Sequence, residues 1–334
     1  MRHLIACFLL LISASAAAQY EWQDIDRVVA MGDLHGDYEQ YIELLEINGL
    51  VNARLAWTGG ETHLVQLGDI PDRGPDSLKI MRHMMKLEKQ AARKGGRVHP
   101  LVGNHEAMNI EGDLRYVHPG EYEVLVTRGS NRLQEAYVER VFDYFRQQPL
   151  ATPKSDETLR SELMAQYPPG FVEHRRLWEP GGEIARWVAK HNAVIKIDRT
   201  LFVHGGINPH LPHMPIAEIN NRIANELTNP VPLDQESFAA SPDSPLWYRG
   251  LAMNDAETEL APLVAMLAAY DADRIVIAHT PTGGRIKTRL DNRVIMIDMG
   301  IAAYYGSHLG NIVIERGVFF EVSRDATTVL PLEP

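Results

Sequence analysis

Ile25-Asp26-Arg27-Val28-Val29-Ala30-Met31-Gly32-Asp33-Leu34-His35-Gly36 sets the pattern for the whole chain. An apolar run of strand length stops at Gly-Asp, then delivers a histidine between small or apolar neighbours. The same order returns twice. His63–Leu67 runs into Gly68-Asp69, and Val98–Val102 runs into Gly103-Asn104-His105-Glu106. Between these runs, Tyr38–Ile47 has helical spacing of apolar residues. A second helix is expected from Pro75, carrying Leu78, Met81, Met84, Met85 and Leu87 and stopped by Gly95-Gly96. Strand–helix–strand–helix–strand is the pattern of an α/β sheet. Each strand delivers its polar cluster at its C-terminal end, where α/β sheets place their ligands.

The chain has 334 residues, of which 45% are hydrophobic and 23% charged, with a net charge of −11. Such a composition can bury a sizeable core and excludes a wholly disordered chain. An acidic chain lacks the phosphate-neutralising face of a general nucleic-acid binder. One cysteine excludes an intrachain disulfide and Cys-rich zinc or iron–sulfur sites. At the N-terminus, Arg2 precedes the apolar run Leu4–Ile12, and small residues close the segment at Ala16-Ala17-Ala18. Residues 1–18 therefore read as a secretory signal peptide, and export to a periplasmic or extracellular space is expected. The apolar core is too short to span a bilayer, and no other segment reads as a membrane anchor.

From about Asn109 to Pro180 the sequence turns polar, with a helical stretch at Leu133–Phe145 and interruptions at Pro149, Pro153 and Pro168-Pro169. This reads as an inserted helical cap, residues 109–180, within one domain covering 19–334. After it, Ala193–Ile197 and Thr200–Val203 flank Asp198-Arg199 as an expected hairpin, and the second strand ends in His204-Gly205-Gly206. Leu260–Tyr270 reads as a helix, and Arg274–Ala278 as a strand ending at His279. Arg293–Ile297, Asn311–Glu315 and Val318–Val322 are expected as antiparallel strands.

Five strand ends thus carry carboxylate, amide or imidazole groups. A single Gly-Asp after a strand is usually only a turn, and a single buried histidine is usually a core residue. Five together point to a metal site. Mixed oxygen and imidazole donors suit manganese, iron or zinc rather than calcium. Two ions roughly 3.5–4 Å apart can share a water, lower its pKa and clamp a phosphoryl group.

Gly32-Asp33-Leu34-His35-Gly36, Gly68-Asp69-Ile70-Pro71-Asp72-Arg73-Gly74, Gly103-Asn104-His105-Glu106 and His204-Gly205-Gly206 together resemble the calcineurin-like metallophosphoesterases. Asp-Arg-Gly and His-Gly-Gly point to the phosphoprotein phosphatase branch. Asn104–Tyr116 and Leu246-Trp247-Tyr248-Arg249 are similar to the bacterial Shewanella-like protein phosphatases. The resemblance implies a metallophosphoesterase-type β-sandwich flanked by helices, with the cap inserted.

It also implies roles, position by position. Asp33 and His35 would bind the first of two metal ions, Asp69 would bridge both, and Asn104, His204 and His279 would complete the second site. Manganese, iron or both are the implied metals, with zinc as a further option. His105 would be the general acid, oriented by Asp72. Arg73 would grip the phosphate with its planar fork, Asn104 would lie beside it, and Arg249 would be a second grip. The implied activity is a phosphomonoesterase acting on phosphotyrosine, phosphoserine or phosphothreonine in proteins, by direct attack of a metal-bridging hydroxide. Rivals are a dinucleoside tetraphosphate hydrolase of the same fold and an inactive phosphoprotein-binding scaffold.

Three positions depart from the branch pattern. Val102 stands where Arg usually precedes Gly-Asn-His-Glu, Pro71 replaces a β-branched residue, and Ala278 precedes His279 where Gly is common. These touch substrate grip rather than the metal ligands. Tyr304 and Tyr305 lie in a Gly-flanked loop and read as packing residues that could line the cleft. The histidines at 99, 118, 174, 191, 210, 213 and 308 read as surface or core residues.

Overall fold

The early strands are apolar on both faces, and the fold uses both. The computed structural model describes residues 19–148, 154–232 and 235–332; the expected signal segment, Pro149 and Pro153 lie outside them. The chain opens with β1 (Glu21–Trp22), β2 (Arg27–Met31), α1 (Tyr38–Ile47), β3 (His63–Gln66), α2 (Ser77–Ala92), β4 (Arg97–Pro100) and α3 (Asn104–Glu111). Five helices follow: α4 (Pro119–Glu123), α5 (Ser130–Arg146), α6 (Asp156–Gln166), α7 (Phe171–Trp178) and α8 (Glu183–Val188). Then come β5 (Val194–Ile197), β6 (Thr200–Val203), α9 (Ile216–Thr228), α10 (Gly250–Met253), α11 (Ala256–Ala269), β7 (Arg274–Ile277), β8 (Lys287–Arg289) and β9 (Val294–Met296). The chain closes with β10 (Gly310–Glu315), β11 (Val318–Ser323) and β12 (Thr327–Val329).

Two six-stranded mixed sheets result, ordered β1-β5-β6-β7-β9-β8 and β12-β11-β10-β2-β3-β4. Side chains alternate along a strand, so each strand feeds two cores. Val28 and Ala30 of β2 join Val65, Ile195, Phe202, Val276, Ile295 and Ile312 in an apolar layer between the sheets. Val29 and Met31 point the other way, onto the helices, with Leu44, Ile80, Met81 and Met84. This is a mixed α/β sandwich with helices on its outer faces.

Local chemistry sets the helices. Asp37 caps α1 by accepting from the Gln40 amide at 3.1 Å. Tyr41, Leu44 and Leu45 are its buried residues, at helical spacing. On α2 the buried set includes Ile80, Met81, Met84, Leu87 and Ala91. The hairpin at Asp198-Arg199 joins antiparallel β5 and β6.

One expectation is corrected. The strand expected as antiparallel at Arg293–Ile297 is Val294–Met296, and it is antiparallel to β8 on one side but parallel to β7 on the other. The chain leaves β7, makes the edge strand β8, and turns back so that β9 lies between them. It is therefore antiparallel to β8 and parallel to β7.

Among the described residues, no helix is long and apolar enough to cross a membrane. The stretch 109–180 holds the end of α3 and helices α4 to α7. Val138 and Phe142 of α5 pack with Leu159 and Leu163 of α6 as a small separate core.

Three histidines read as non-ligands have structural partners. His118 caps α4 through the Gly120 amide, His191 meets Glu88 at 3.0 Å, and His210 meets Glu259 at 3.1 Å. His99 is buried, with its Nε2 3.1 Å from Nδ1 of His63 and the Trp22 ring against it. Burial, then Arg97, lowers His63 to about 4. Burial, then His63 and Arg97, lowers His99 well below the usual histidine value. Both are neutral in the folded protein, whereas the unfolded chain protonates them near pH 6.5. The unfolded state therefore gains protons first as pH falls, and stability is lost from about pH 6.5 toward pH 4. Urea midpoints at pH 7 and pH 5 should differ more for the parent than for His63→Leu/His99→Leu. Equal acid sensitivity of the two proteins would assign the loss elsewhere.

Candidate active site

The glycine-rich turns after β2 and β3 are joined by backbone bonds. The amides of Leu34 and His35 each donate to the Asp69 carbonyl at 3.0 Å, and Gly36 donates to Ile70 at 2.8 Å. A Cβ on Gly36 would lie 2.5 Å from the Gly74 carbonyl, and its φ is +66°, so only glycine fits this approach. His35, Asp69, Asp72, Arg73 and His279 all hold left-handed φ, between 42° and 73°. For residues other than Gly this conformation costs of order 1–3 kcal/mol each and persists where the surroundings over-determine it. Here the packed motif turns hold it at five polar residues.

Asp33, His35, Asp69, Asn104, His204 and His279 are all buried and converge around Asp69. Asp69 Oδ2 lies 3.3 Å from His204 Nε2 and 3.9 Å from His35 Nε2. Asp33 Oδ2 is 3.7 Å from His35 Nε2. Asp69, His204 and His279 each place a ligand atom within 4.8 Å of the others; so do His35, Asp69 and His105.

The donor set fits cations. His204 Nδ1 donates to the Leu67 carbonyl at 2.7 Å, so a metal-ligating ring would carry its lone pair on Nε2. That lone pair faces the Asn104 Oδ1 at 2.9 Å and His279 Nδ1 at 3.2 Å. His35 Nδ1 likewise meets the Pro71 carbonyl at 3.0 Å, turning Nε2 toward Asp33 and Asp69. Carboxylate, amide and imidazole groups converging this closely form a mixed oxygen and nitrogen set that suits a transition-metal cation. Among the described residues, buried His279 Nε2 finds no hydrogen-bond partner. Burial pushes Asp33 up, and the charges of Asp298 and Asp69 add to it. Burial lowers His35 to about 4, so its imidazole is neutral, as a ligand must be.

His105 differs from the other histidines of the cluster. Its Nδ1 makes a short contact to Asp72 Oδ2, and its Nε2 faces Asp69 Oδ2 at 3.8 Å. Burial opposes its charge, but Asp69 and Asp72 outweigh that and hold its pKa above the ordinary histidine value. Asp72 is in turn aimed by Asn109, whose Nδ2 donates to Oδ1 at 2.9 Å. Arg73 lies 3.9 Å from the Tyr116 ring centroid and 4.7 Å from that of Tyr304, and donates to the Tyr304 hydroxyl at 3.2 Å. The two rings flank its guanidinium.

Arg249 is tied to a loop. Its Nη1 donates to the His279 carbonyl at 2.8 Å and to Thr280 Oγ1 at 2.9 Å, so it steadies the turn that carries His279. Val102 is fully buried among apolar side chains, so an arginine would not fit there in this packing. Tyr304 and Tyr305 do reach the site: Tyr305 lies 5.3 Å from the His35 ring. Their loop is pinned by the Ala303 amide donating to Asp37 Oδ2 at 2.9 Å.

Several contributors carried no role in the sequence reading. Glu106 accepts from the amides of Asp69, Ile70 and Gly103 at 2.8–2.9 Å, locking two motif turns together. Burial, then Asp69, pushes it up to about 7. Its position inside the Gly103–Glu106 motif was the available signal. Burial pushes Asp298 up to about 6, and a hydrogen bond with Asp33 works against the shift; it too follows an apolar strand. Glu121 of α4 accepts from the Asp72 amide at 3.1 Å and from Ser77 at 2.8 Å, so the inserted helices support the Asp72 turn.

Comparison with known proteins agrees with this geometry. Residues 26–283 match the family described as calcineurin-like phosphoesterase. An uncharacterized protein of Schizosaccharomyces pombe is 32% identical over 83% of this chain and 74% of its own. Shewanella-like protein phosphatase 2 of Arabidopsis thaliana is 29% identical over 87% of this chain and 75% of its own. The crystal structure of a cold-active protein-tyrosine phosphatase from a psychrophilic Shewanella superposes with a TM-score of 0.70 at 25% identity, covering 95% of this chain and 85% of that one. The two-sheet sandwich, the buried cluster around Asp69 and these matches lead to one statement: the chain belongs to the calcineurin-like phosphoesterase family.

Proposed function

We propose that this chain is a metal-dependent protein phosphatase that hydrolyses phosphomonoesters, phosphotyrosine among them. One observation carries the reading: a buried carboxylate, Asp69, stands between two sets of candidate ligand groups, beside His105, whose pKa Asp69 and Asp72 raise, and an aromatic-flanked Arg73. Asp33, His35 and Asp69 would hold one cation, and Asp69, Asn104, His204 and His279 the other. Manganese and iron suit these donors. Bound there, such ions polarise phosphoryl oxygens and acidify water.

The chain's own groups do the rest. Arg73, planar and permanently charged, binds two phosphoryl oxygens and neutralises charge as the ester breaks. The flanking rings of Tyr116 and Tyr304 limit its freedom, so less order has to be gained on binding. His105 donates its proton to the departing oxygen of the alcohol or phenol. Asp72 keeps the imidazole charged and aimed, and Asn109 keeps Asp72 in place. Arg249 and Thr280 hold the His279 turn. Tyr304 and Tyr305 form an aromatic wall at this site, which favours an aromatic leaving group over a small alkyl one. The structural relative from Shewanella is a cold-active protein-tyrosine phosphatase, which is the same substrate class. Export belongs to the reading through residues 1–18, on sequence grounds alone.

The test is metal removal and return. Protein stripped with a chelator should lose hydrolysis of p-nitrophenyl phosphate and of a phosphotyrosyl peptide. Manganese or iron should restore both. Full activity in metal-free protein, with metal content checked by mass spectrometry, would contradict the proposal.

A further inference from the structure

Beside the site lies a basic groove of about 590 Å³. Four of its lining residues are cationic: Arg54, Lys79, Arg82 and Lys86. Asp76 is the one carboxylate that lines it. This is unusual on a chain with a net charge of −11. All four cations are exposed. Among the described residues, neither Arg54, Lys79 nor Lys86 is within 4.0 Å of a carboxylate; Arg82 has one ion pair, to Glu183 at 3.6 Å. Lys79 lies over the Tyr38 ring at 3.6 Å, which positions its charge without cancelling it.

The arrangement is ordered. Lys79, Arg82 and Lys86 stand at i, i+3 and i+7 on α2, so they form a stripe on one helix face. The stripe is about 10 Å long, the rise of seven helical residues. Three residues of extended peptide cover that length. Arg54 reaches the same groove from the loop between α1 and β3.

The groove is also joined to the catalytic turn. Its wall includes Pro75, two residues after Arg73. Chain geometry keeps those two Cα atoms within about 7 Å. Tyr38, another wall residue, is three residues after His35. A peptide with its phosphate at Arg73 needs only a few residues to lie along α2.

Building on the phosphatase reading, we infer that this groove binds an acidic segment of the phosphoprotein substrate. Aspartate or glutamate a few positions from the phosphorylated residue pairs with Arg54, Lys79 and Lys86. The groove thereby selects substrates by their flanking sequence, while the metal cluster and Arg73 read only the phosphate.

The experiment uses the metal-loaded full chain and two phosphotyrosyl peptides, identical except for acidic or neutral flanks. The parent should show about tenfold higher kcat/KM for the acidic peptide at low salt, shrinking in 0.5 M salt, as several partly exposed charge pairs would give. Arg54→Gln/Lys79→Gln/Lys86→Gln should equalise the peptides and leave p-nitrophenyl phosphate turnover within about twofold of the parent. Equal rates on both peptides in the parent, or a preference that survives the triple substitution, would overturn the inference. Failure of the parent to hydrolyse p-nitrophenyl phosphate would instead strike the phosphatase reading. In that event, anisotropy of a labelled, unphosphorylated acidic peptide still decides the groove: tighter binding to parent than to triple variant supports it, and equal binding rejects it. Loss of binding to phosphatidylserine vesicles in the variant, with no peptide dependence, would assign the patch to a lipid surface and reject the peptide.

Discussion

Asp69→Asn should lower phosphomonoester turnover by at least about 10³-fold, because several kcal/mol of metal-derived charge stabilisation go with it, at 1.4 kcal/mol per tenfold. Asp69 is the group common to both ligand sets. Its Oδ1 also accepts from the His105 amide at 2.9 Å, so the same carboxylate would position both the proposed acid and the metals. Asparagine preserves the shape and tolerates the left-handed φ of 58° at this position. It removes the negative charge that two cations would share. The variant should therefore fold with an unchanged circular dichroism spectrum, but bind less metal in mass spectrometry. Parent-level turnover with full metal content would show that the bridge is not needed.

His105→Asn should separate substrates by leaving group. General acid catalysis contributes about 10²–10⁴-fold where the departing oxygen is a poor leaving group. A phosphoserine peptide should lose activity in that range. p-Nitrophenolate departs without a proton, so p-nitrophenyl phosphate should lose far less. Asp72→Asn should follow the same pattern more weakly, since it disturbs the charge and aim of His105 without removing it. Equal losses on both substrates would place His105 in binding rather than proton transfer.

The candidate ligand residues were legible in the sequence because each follows an apolar strand and all but His279 sit beside glycine. That arrangement serves the chemistry: the strand is buried on both faces, and the turn must take left-handed φ. Three strands were not legible, for a physical reason. β1, β8 and β12 are short edge strands of two or three residues, and β12 is fully exposed, so none needs an apolar run. The direction of β9 was also hidden, since it depends on where β8 inserts. Arg249 could be placed near the cleft by its motif, but not its hydrogen bonds to the His279 turn. Tyr304 and Tyr305 depend on a loop anchored 266 residues away in sequence, through Ala303 and Asp37. Such contacts leave no local periodicity. The basic groove needs α2, the loop carrying Arg54 and the Pro75 turn together; along the sequence its charges are an ordinary solvated helix face.

The central claim is a shared carboxylate between two cations. Anomalous diffraction from manganese-soaked crystals at the manganese edge tests it most directly. Two peaks are expected about 3.5–4 Å apart, one on each side of the Asp69 carboxylate and both liganded by it. A single peak, or two peaks with Asp69 bound to neither, would contradict it.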